Sequence, residues 1–434
     1  MSEKYDVIVV GARVAGASTA ALLARRGLRV LVVDRAGFPS DTLSTHQVQL
    51  PGIVRLARWG VLPHVIASGA PATRRARFTQ GSVVLDGRYP ALDGIDAMYS
   101  PRRTVLDAIL LDAAARAGAE VRERFIVDEV VRDGDRVVGI RGTAKVGSGG
   151  VGATGPAGGG GAGSGAASAT ADIVVGADGK HSLVARAAHA PVYRFDSPRT
   201  MCSYSYFADV DLDAGEMRVL DRQVVTSWPT NDGLVMAAVL LPVAGLAEFR
   251  ADVEGNTIAA FKSAGDLGER ILAGRRVERY RSSPDLPNAM RRPFGPGWAL
   301  VGDAGVVLDP ISAQGIAHAL QDAELLADAI VDGLGGRRPL DEALSGYWRR
   351  RDQRSGPMYD FTLRLASFAP PSRRDQALLA SLEGRPAEIS RFLGMLAGIV
   401  PVRDYFAVPS MLHALGLRGL PRLLGPRPAD RSAA

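Results

Sequence analysis

VIVVGARVAGAS, residues 7–18, decides the fold. An apolar run of strand-forming residues meets a glycine, and the small residues that follow suit a helix packed closely on a sheet. The outline is that of the dinucleotide fingerprint G-x-G-x-x-G, with Gly11 and Gly16 in the first and third places and Arg13 in the second. In that fingerprint the first glycine permits the tight turn, the second lets backbone approach a pyrophosphate, and the third lets helix meet sheet. Arg13 must aim its Cβ away from a phosphate, and its guanidinium could then fold back onto it as a bidentate donor. We read the fingerprint as modified rather than broken.

Working outward, YDVIVV at 5–10 reads as a buried strand, AGASTAALLARRG as a helix ended by Gly27, and LRVLVVDR as a second buried strand ending at Asp34. Strand, turn, helix and strand in so short a span predict a parallel sheet. Asp34 follows Gly11 by 23 residues, where its carboxylate can accept both ribose hydroxyls of an adenosine, and Arg35 beside it is a further candidate for cofactor binding. This much does not separate FAD from NAD, since both carry adenosine pyrophosphate. Two distant stretches add anchors for a longer cofactor: VVGADGKHSLV, with Asp178 and Gly179, and ALVGDAGVVLDPISAQGIAHAL, with Gly302, Asp303, Pro310 and Gly315. Each sets an aspartate in a glycine turn after a buried strand. The helix opening near Gly315 would point free N–H groups at an anionic ring edge.

With these residues in place, the sequence resembles the FAD-dependent monooxygenase superfamily of the para-hydroxybenzoate hydroxylase type, whose relatives include geranylgeranyl reductases and flavin-dependent halogenases. The matching stretches are residues 7–35, RRTVLDAIL, GADGKHSLV and GDAGVVLDPISAQGIAHALQDAELLA, spread over about residues 5–335. The resemblance implies an α/β fold: a glutathione-reductase-type FAD-binding Rossmann-like domain interrupted by a mixed β-sheet substrate domain, with a helical C-terminal region. It implies that Gly11, Gly16 and Asp34 hold the adenosine half of FAD and that Arg103 approaches the phosphates or ribityl. Asp178 and Gly179 would serve FAD and transient NAD(P)H, Asp303 the ribityl chain, and Pro310 to Gly315 would run beside the isoalloxazine. Three departures mark the subfamily: Arg13, Gly305 where a histidine is common, and Ala313 for a frequent glycine.

The expected divisions are 1–70, 101–190 and 281–335 for the FAD-binding domain, 71–100 and 191–280 for the substrate domain, and 336–434 for the helices. A Gly/Ser/Ala-rich run at 147–171 has too little side chain to offset its ordering entropy and reads as a flexible loop. Asp133-Gly134 between valine-rich runs predicts a hairpin. In CSYSYFADV the alternation puts Tyr204 and Tyr206 on one face, and with Trp228 they are candidates for a substrate pocket or for sheet core. Ser44, Thr45 and His46 lie where this architecture brings chain toward the flavin. For the hydroxyls a helix cap is the competing reading; for His46, a flavin-proximal place, loop packing or acid/base catalysis.

The net charge is +6 and the pI near 9.6, but 48 arginines and only four lysines are spread along the chain with acidic partners, which argues against nucleic acid. Cys202 is the single cysteine and the six histidines lack ligand spacing, so neither an internal disulfide nor a metal site is expected. No signal-peptide pattern or membrane span is visible, so a cytoplasmic protein is expected, of open oligomeric state. The implied reaction is NAD(P)H- and oxygen-dependent hydroxylation or epoxidation of an aromatic or polycyclic small molecule through a flavin C4a-hydroperoxide. Alkene reduction in a prenyl or other lipophilic substrate is the alternative. A halogenase would need a lysine in its active site and a W-x-W-x-I-P motif; none lies between Lys4 and Lys145, and Trp228-Pro229 lacks that pattern.

Overall fold

A computed structural model describes residues 3–145 and 166–424, with side chains to 416. Strand β1 (Glu3–Val10), helix α1 (Val14–Ala24) and strand β2 (Val30–Val33) form the unit that the fingerprint predicts. The chain then passes through α2 (Leu50–Arg58) to the hairpin β3 (Arg75–Gln80) and β4 (Val83–Arg88). It returns by α3 (Arg103–Arg116), β5 (Glu120–Arg122), the hairpin β6 (Phe125–Asp133) and β7 (Arg136–Ala144), and β8 (Ala166–Gly176). After α4 (Leu183–Ala187) and β9 (Val192–Asp196) come the long strands β10 (Thr200–Ala208), β11 (Gly215–Leu220), β12 (Gln223–Pro229) and β13 (Val235–Pro242). Helices α5 (Val253–Lys262) and α6 (Asp266–Ala273) precede short strands β14 (Arg281–Ser283), β15 (Asn288–Arg291), β16 (Trp298–Leu300) and β17 (Val306–Val307). Six helices close the described residues: α7 (Gly315–Leu334), α8 (Leu340–Ala366), α9 (Arg373–Leu382), α10 (Pro386–Leu396), α11 (Val402–Tyr405) and α12 (Val408–Leu424).

The first sheet runs β16-β8-β1-β2-β5, all parallel, and β7 joins β8 from its far end with β6 alongside. Val7 and Val9 of β1 enter the cluster under α1, α3 and α7, while Ile8 and Val10 face Phe125, Val137 and Val184. Burial on both faces is what a parallel sheet requires and why VIVV is apolar without alternation. The second sheet runs β10-β13-β12-β11-β3-β4 and is mixed, because β11 pairs with β3 in parallel. Its strands alternate as expected: Cys202, Tyr204 and Tyr206 share one cluster with Trp228, whereas Phe207 packs on Phe261 and Leu267. The C-terminal helices close the outer end, where Phe392 meets Phe78 at a centroid distance of 5.2 Å.

Two strands fall across the expected divisions. β9 pairs with β15 rather than with the second sheet, and β14 pairs with β10 of that sheet. Both are short pieces whose hydrogen bonding is set by partners far along the chain, which local pattern cannot register. The run read as a loop at 147–171 lies mostly outside the described residues, and its last six residues, 166–171, are strand: alanine and threonine suffice once β1 and β7 supply backbone partners.

Candidate active site

The carboxyl ends of β1, β2, β8 and β16 converge, and the loops that leave them make a cleft at the point where neighbours of β1 depart in opposite directions. Gly11 has φ +102°, and a Cβ on it would lie 2.4 Å from the Ala177 carbonyl oxygen. A Cβ on Gly16 would lie 1.7 Å from the Gly11 carbonyl oxygen. Gly302, at φ +60°, would press a Cβ to 2.7 Å from that of Ala15. Three loops thus meet on bare backbone. The first turn of α1 has no side-chain cap, so its leading amides lack intrahelical acceptors. The same holds for α7, whose Gly315 stands exposed with nothing within 4 Å of a built Cβ while Gln314 turns its side chain away.

Asp34 accepts from Ala12 N at 2.7 Å and Ala36 N at 2.8 Å, joining the turns that leave β1 and β2. Its outer lone pairs stay free, and Arg35 next to it is exposed. Asp303 is open to solvent yet ringed by protein that pushes its carboxyl above the usual range, with Arg103 the first opposing charge. Those two facts agree for a side chain on the wall of a deep cleft. Pro310 and its neighbours form a single tight turn, capped by Asp309 Oδ1 accepting from Ile311 N at 2.9 Å. Ala313, at φ +51°, holds the left-handed conformation that explains why glycine is frequent there. At Gly305 the space beside the backbone holds Arg351 Nη1, 3.1 Å from a built Cβ.

Three of the expected site residues have protein partners that the sequence does not name. The Arg13 guanidinium does not fold over the fingerprint loop: it donates to Asp107 Oδ2 at 2.6 Å and to Ser40 Oγ at 2.9 Å. Arg103 meets the same carboxylate from the other side, by Nε and Nη2, each at 3.0 Å. Asp178 faces inward to α4, accepting from Ser182 Oγ at 2.5 Å and Leu183 N at 2.6 Å, while Gly179 makes its turn at φ +81°. A carboxylate beside unsatisfied helix amides is drawn to them, which spacing alone does not disclose. Asp107, fully buried between two arginines, went unnoticed; the i,i+4 pair Arg103/Asp107 on a helix was the available signal.

Beside the cleft, residues 44–46 lie across the aromatic face of the second sheet. Ser44 N donates to Tyr204 Oη at 3.4 Å, Trp228 Nε1 donates to the Thr45 carbonyl at 2.7 Å, and His46 Nε2 is hydrogen-bonded to Tyr206 Oη. Ser44 Oγ accepts from His46 N rather than capping a helix. His46 sits at φ +62°, wholly buried, its ring tilted 25° from that of Tyr206. Burial first, then Arg103, Arg102 and Arg281, hold its pKa near 3, so the imidazole is neutral. Arg102 stacks on Tyr206 with its guanidinium carbon 4.2 Å from the ring centroid. Arg102 and Arg281 are in turn fixed by Glu278, and Arg281 by Asp41 at 2.7 Å. Ile311, from the turn leading to α7, packs into the same cluster as Tyr204, Tyr206 and Trp228. The aromatic face and the cleft therefore share a wall.

A family described as FAD binding domain matches residues 4–249, more than half of the chain. The chain belongs to this FAD-binding family. It is similar to digeranylgeranylglycerophospholipid reductase 2 of Methanothermobacter thermautotrophicus, 25% identical over 95% of this chain and 99% of that one. It is also similar to 6-methylpretetramide 4-monooxygenase of Streptomyces rimosus, 27% identical over 78% of this chain and 77% of the other. Among solved structures, a flavoprotein/dehydrogenase from Cytophaga hutchinsonii superposes with a TM-score of 0.77 at 19% identity, covering 97% and 99% of the two chains. The myxobacterial chondrochloren halogenase superposes at 0.72, with 22% identity over 96% and 99%. The protein is an FAD-binding flavoenzyme of the oxidoreductase class. The residues fit that cofactor: the glycine cradle a Cβ would fill, the uncapped amides of two helices and the cleft-wall Asp303 match the needs of a pyrophosphate, a ring edge and a ribityl chain. Among the described residues no helix is long and apolar enough to cross a membrane.

Proposed function

We propose that the enzyme is a monooxygenase that uses NAD(P)H and oxygen to hydroxylate or epoxidise an aromatic or polycyclic small molecule. The observation that carries the reading is the face built by Tyr204, Tyr206, Trp228 and Ile311 directly against the turn that leads to α7. Flat aromatic side chains offer edges and faces to a ring, and a chain that must exclude water from an oxidising step gains from such a wall. Bound FAD supplies the electrons and the activated oxygen. The chain's own residues do the rest. The amides opening α1 and α7 orient the cofactor, and Arg103, Arg13 and Asp107 hold the fingerprint loop to α3. Tyr206 and the neutral His46 can hold the proton of a phenol at Tyr206 Oη, because burial first, and then Arg103, Arg102 and Arg281, keep the imidazole from charging. Asp178 and Gly179 shape the turn over which a nicotinamide cofactor would dock.

A second reading has support in the reductase similarity over 95% of the chain: reduction of an alkene in a prenyl or other lipophilic substrate. Anaerobic reduction of the FAD-loaded enzyme by NADH and NADPH, followed by oxygen, separates the two when run with phenolic polycycles and with prenyl lipids. Ligand-accelerated reduction and an oxygenated product support the monooxygenase. Oxygen-independent saturation of an alkene overturns it.

A further inference from the structure

Away from the nucleotide cleft, a cavity of about 430 Å³ opens between the start of α7, the middle of α8 and residues 398–404. Of the residues named around the cleft, Gln314 alone is also on its walls. His318 lines it, more than nine-tenths buried, and no hydrogen bond satisfies its Nδ1. Burial and the neighbouring Arg354 keep this imidazole neutral. Unsatisfied polar groups in a protein interior are costly, and a site that retains them gains when a ligand arrives to pair them.

The walls also state what the ligand looks like. Met358, Val400, Pro401 and Val402 give an apolar floor, and Arg350, Arg354 and Arg403 bring three guanidiniums against the single carboxylate of Asp404. Arg354 is held by Asp322 at 2.5 Å, whereas Arg403 is exposed and has neither an ion pair nor a hydrogen bond among the described residues. We propose that this cavity binds a small organic anion, a carboxylate carried on a compact apolar body, with the carboxylate at Arg403 and a hydroxyl or amide at His318. The volume lies within the range of small-molecule sites. The proposal goes beyond the redox reaction, because the cavity borders α7 from the side away from Gly302 and Ala15.

The site is tied to the cofactor by one side chain. Gln314, which precedes α7, donates to the Leu396 carbonyl at 2.8 Å, and a Cβ on Gly398 would meet its Oε1 at 3.0 Å. A ligand wedged against residues 398–404 therefore bears on the turn whose amides face the flavin.

The test is calorimetric titration of the FAD-loaded enzyme with 2-naphthoate and with 4-phenylbutyrate, using 2-naphthalenemethanol as the uncharged control. Arg403→Glu reverses the mouth charge and Val402→Trp fills the floor; both positions lie at the surface of a short helix, and flavin content reports that each variant is folded. Either acid should bind below about 1 mM, weaken about tenfold or more in Arg403→Glu, and fail to bind in Val402→Trp, while the alcohol is indifferent to Arg403→Glu. Absence of binding by both acids up to about 5 mM, or affinities unchanged in both variants, overturns the proposal.

Discussion

The nucleotide cleft and the aromatic face share a wall but are built by opposite means. The cleft is made of backbone: Gly11, Gly16 and Gly302 bring three loops together at distances that no side chain tolerates. The aromatic face is made of side chains, each bonded to a different residue of one loop, Tyr204 to Ser44, Trp228 to Thr45 and Tyr206 to His46. A backbone site accepts one conformation or none. A side-chain site can be loosened bond by bond, which suits a surface that must admit a substrate.

Breaking the backbone half should give the largest effect. Gly16→Ala sets a Cβ 1.7 Å from a carbonyl oxygen, so no flavin should copurify; a yellow protein of normal absorbance ratio would sink the assignment of the cradle. Next comes Asp107→Ala, which strands two guanidiniums around a fully buried position. Removing one partner of such a cluster costs about 3–5 kcal/mol, to be read by chemical denaturation, with weakened FAD retention alongside. An unchanged midpoint would show that the arginines re-pair with solvent.

The side-chain half is sharpened by pH. Folded His46 stays neutral down to about 3 while an unfolded histidine takes up its proton near 6.5. Across that window the unfolded chain binds more protons, so stability falls as pH drops from 6.5 toward 3. His318, also held well below its ordinary value, adds to the fall. Asp309 opposes it: burial raises its carboxyl to about 6, so between 6 and 3.8 the folded state holds the extra proton and gains on acidification. Asp303 and Asp178, also raised by burial, act in the same sense as Asp309, so the histidine contribution is read by comparing a variant with the parent. His46→Gln should flatten the thermal midpoint between pH 6.5 and 5, and a profile as steep as the parent's would remove His46 from its cause. The smallest effect is expected at Ala313→Gly, which relieves a left-handed residue worth about 1 kcal/mol; a lowered midpoint there would mean that the methyl group packs.

This contrast also explains what could be read from the chain. Gly11, Gly16 and Gly302 are legible because a backbone requirement selects one residue type at one place. α7 is legible down to its first residue, since Gly315 opens an uninterrupted helical period. Arg13 was visible as an anomaly, but its partners Asp107 and Ser40 stand 94 and 27 residues away, and no local pattern names them. The alternation of β10 announced one shared face for Tyr204 and Tyr206. That the face would be covered by residues 44–46 depends on contacts across about 160 residues, which spacing does not carry.

One further consequence follows from β8. Its chain enters at Ala166, next to the end of β7, and only at Gly176 does it reach the cleft, about 33 Å further along at a strand's usual rise. The facing ends of β7 and β8, at Ala144 and Ala166, thus lie at the end of the sheet remote from the cleft. Whatever is inserted or removed there meets the molecule at its quiet end, which makes it the natural port for a tag, a fluorophore or a fused domain that leaves the chemistry alone.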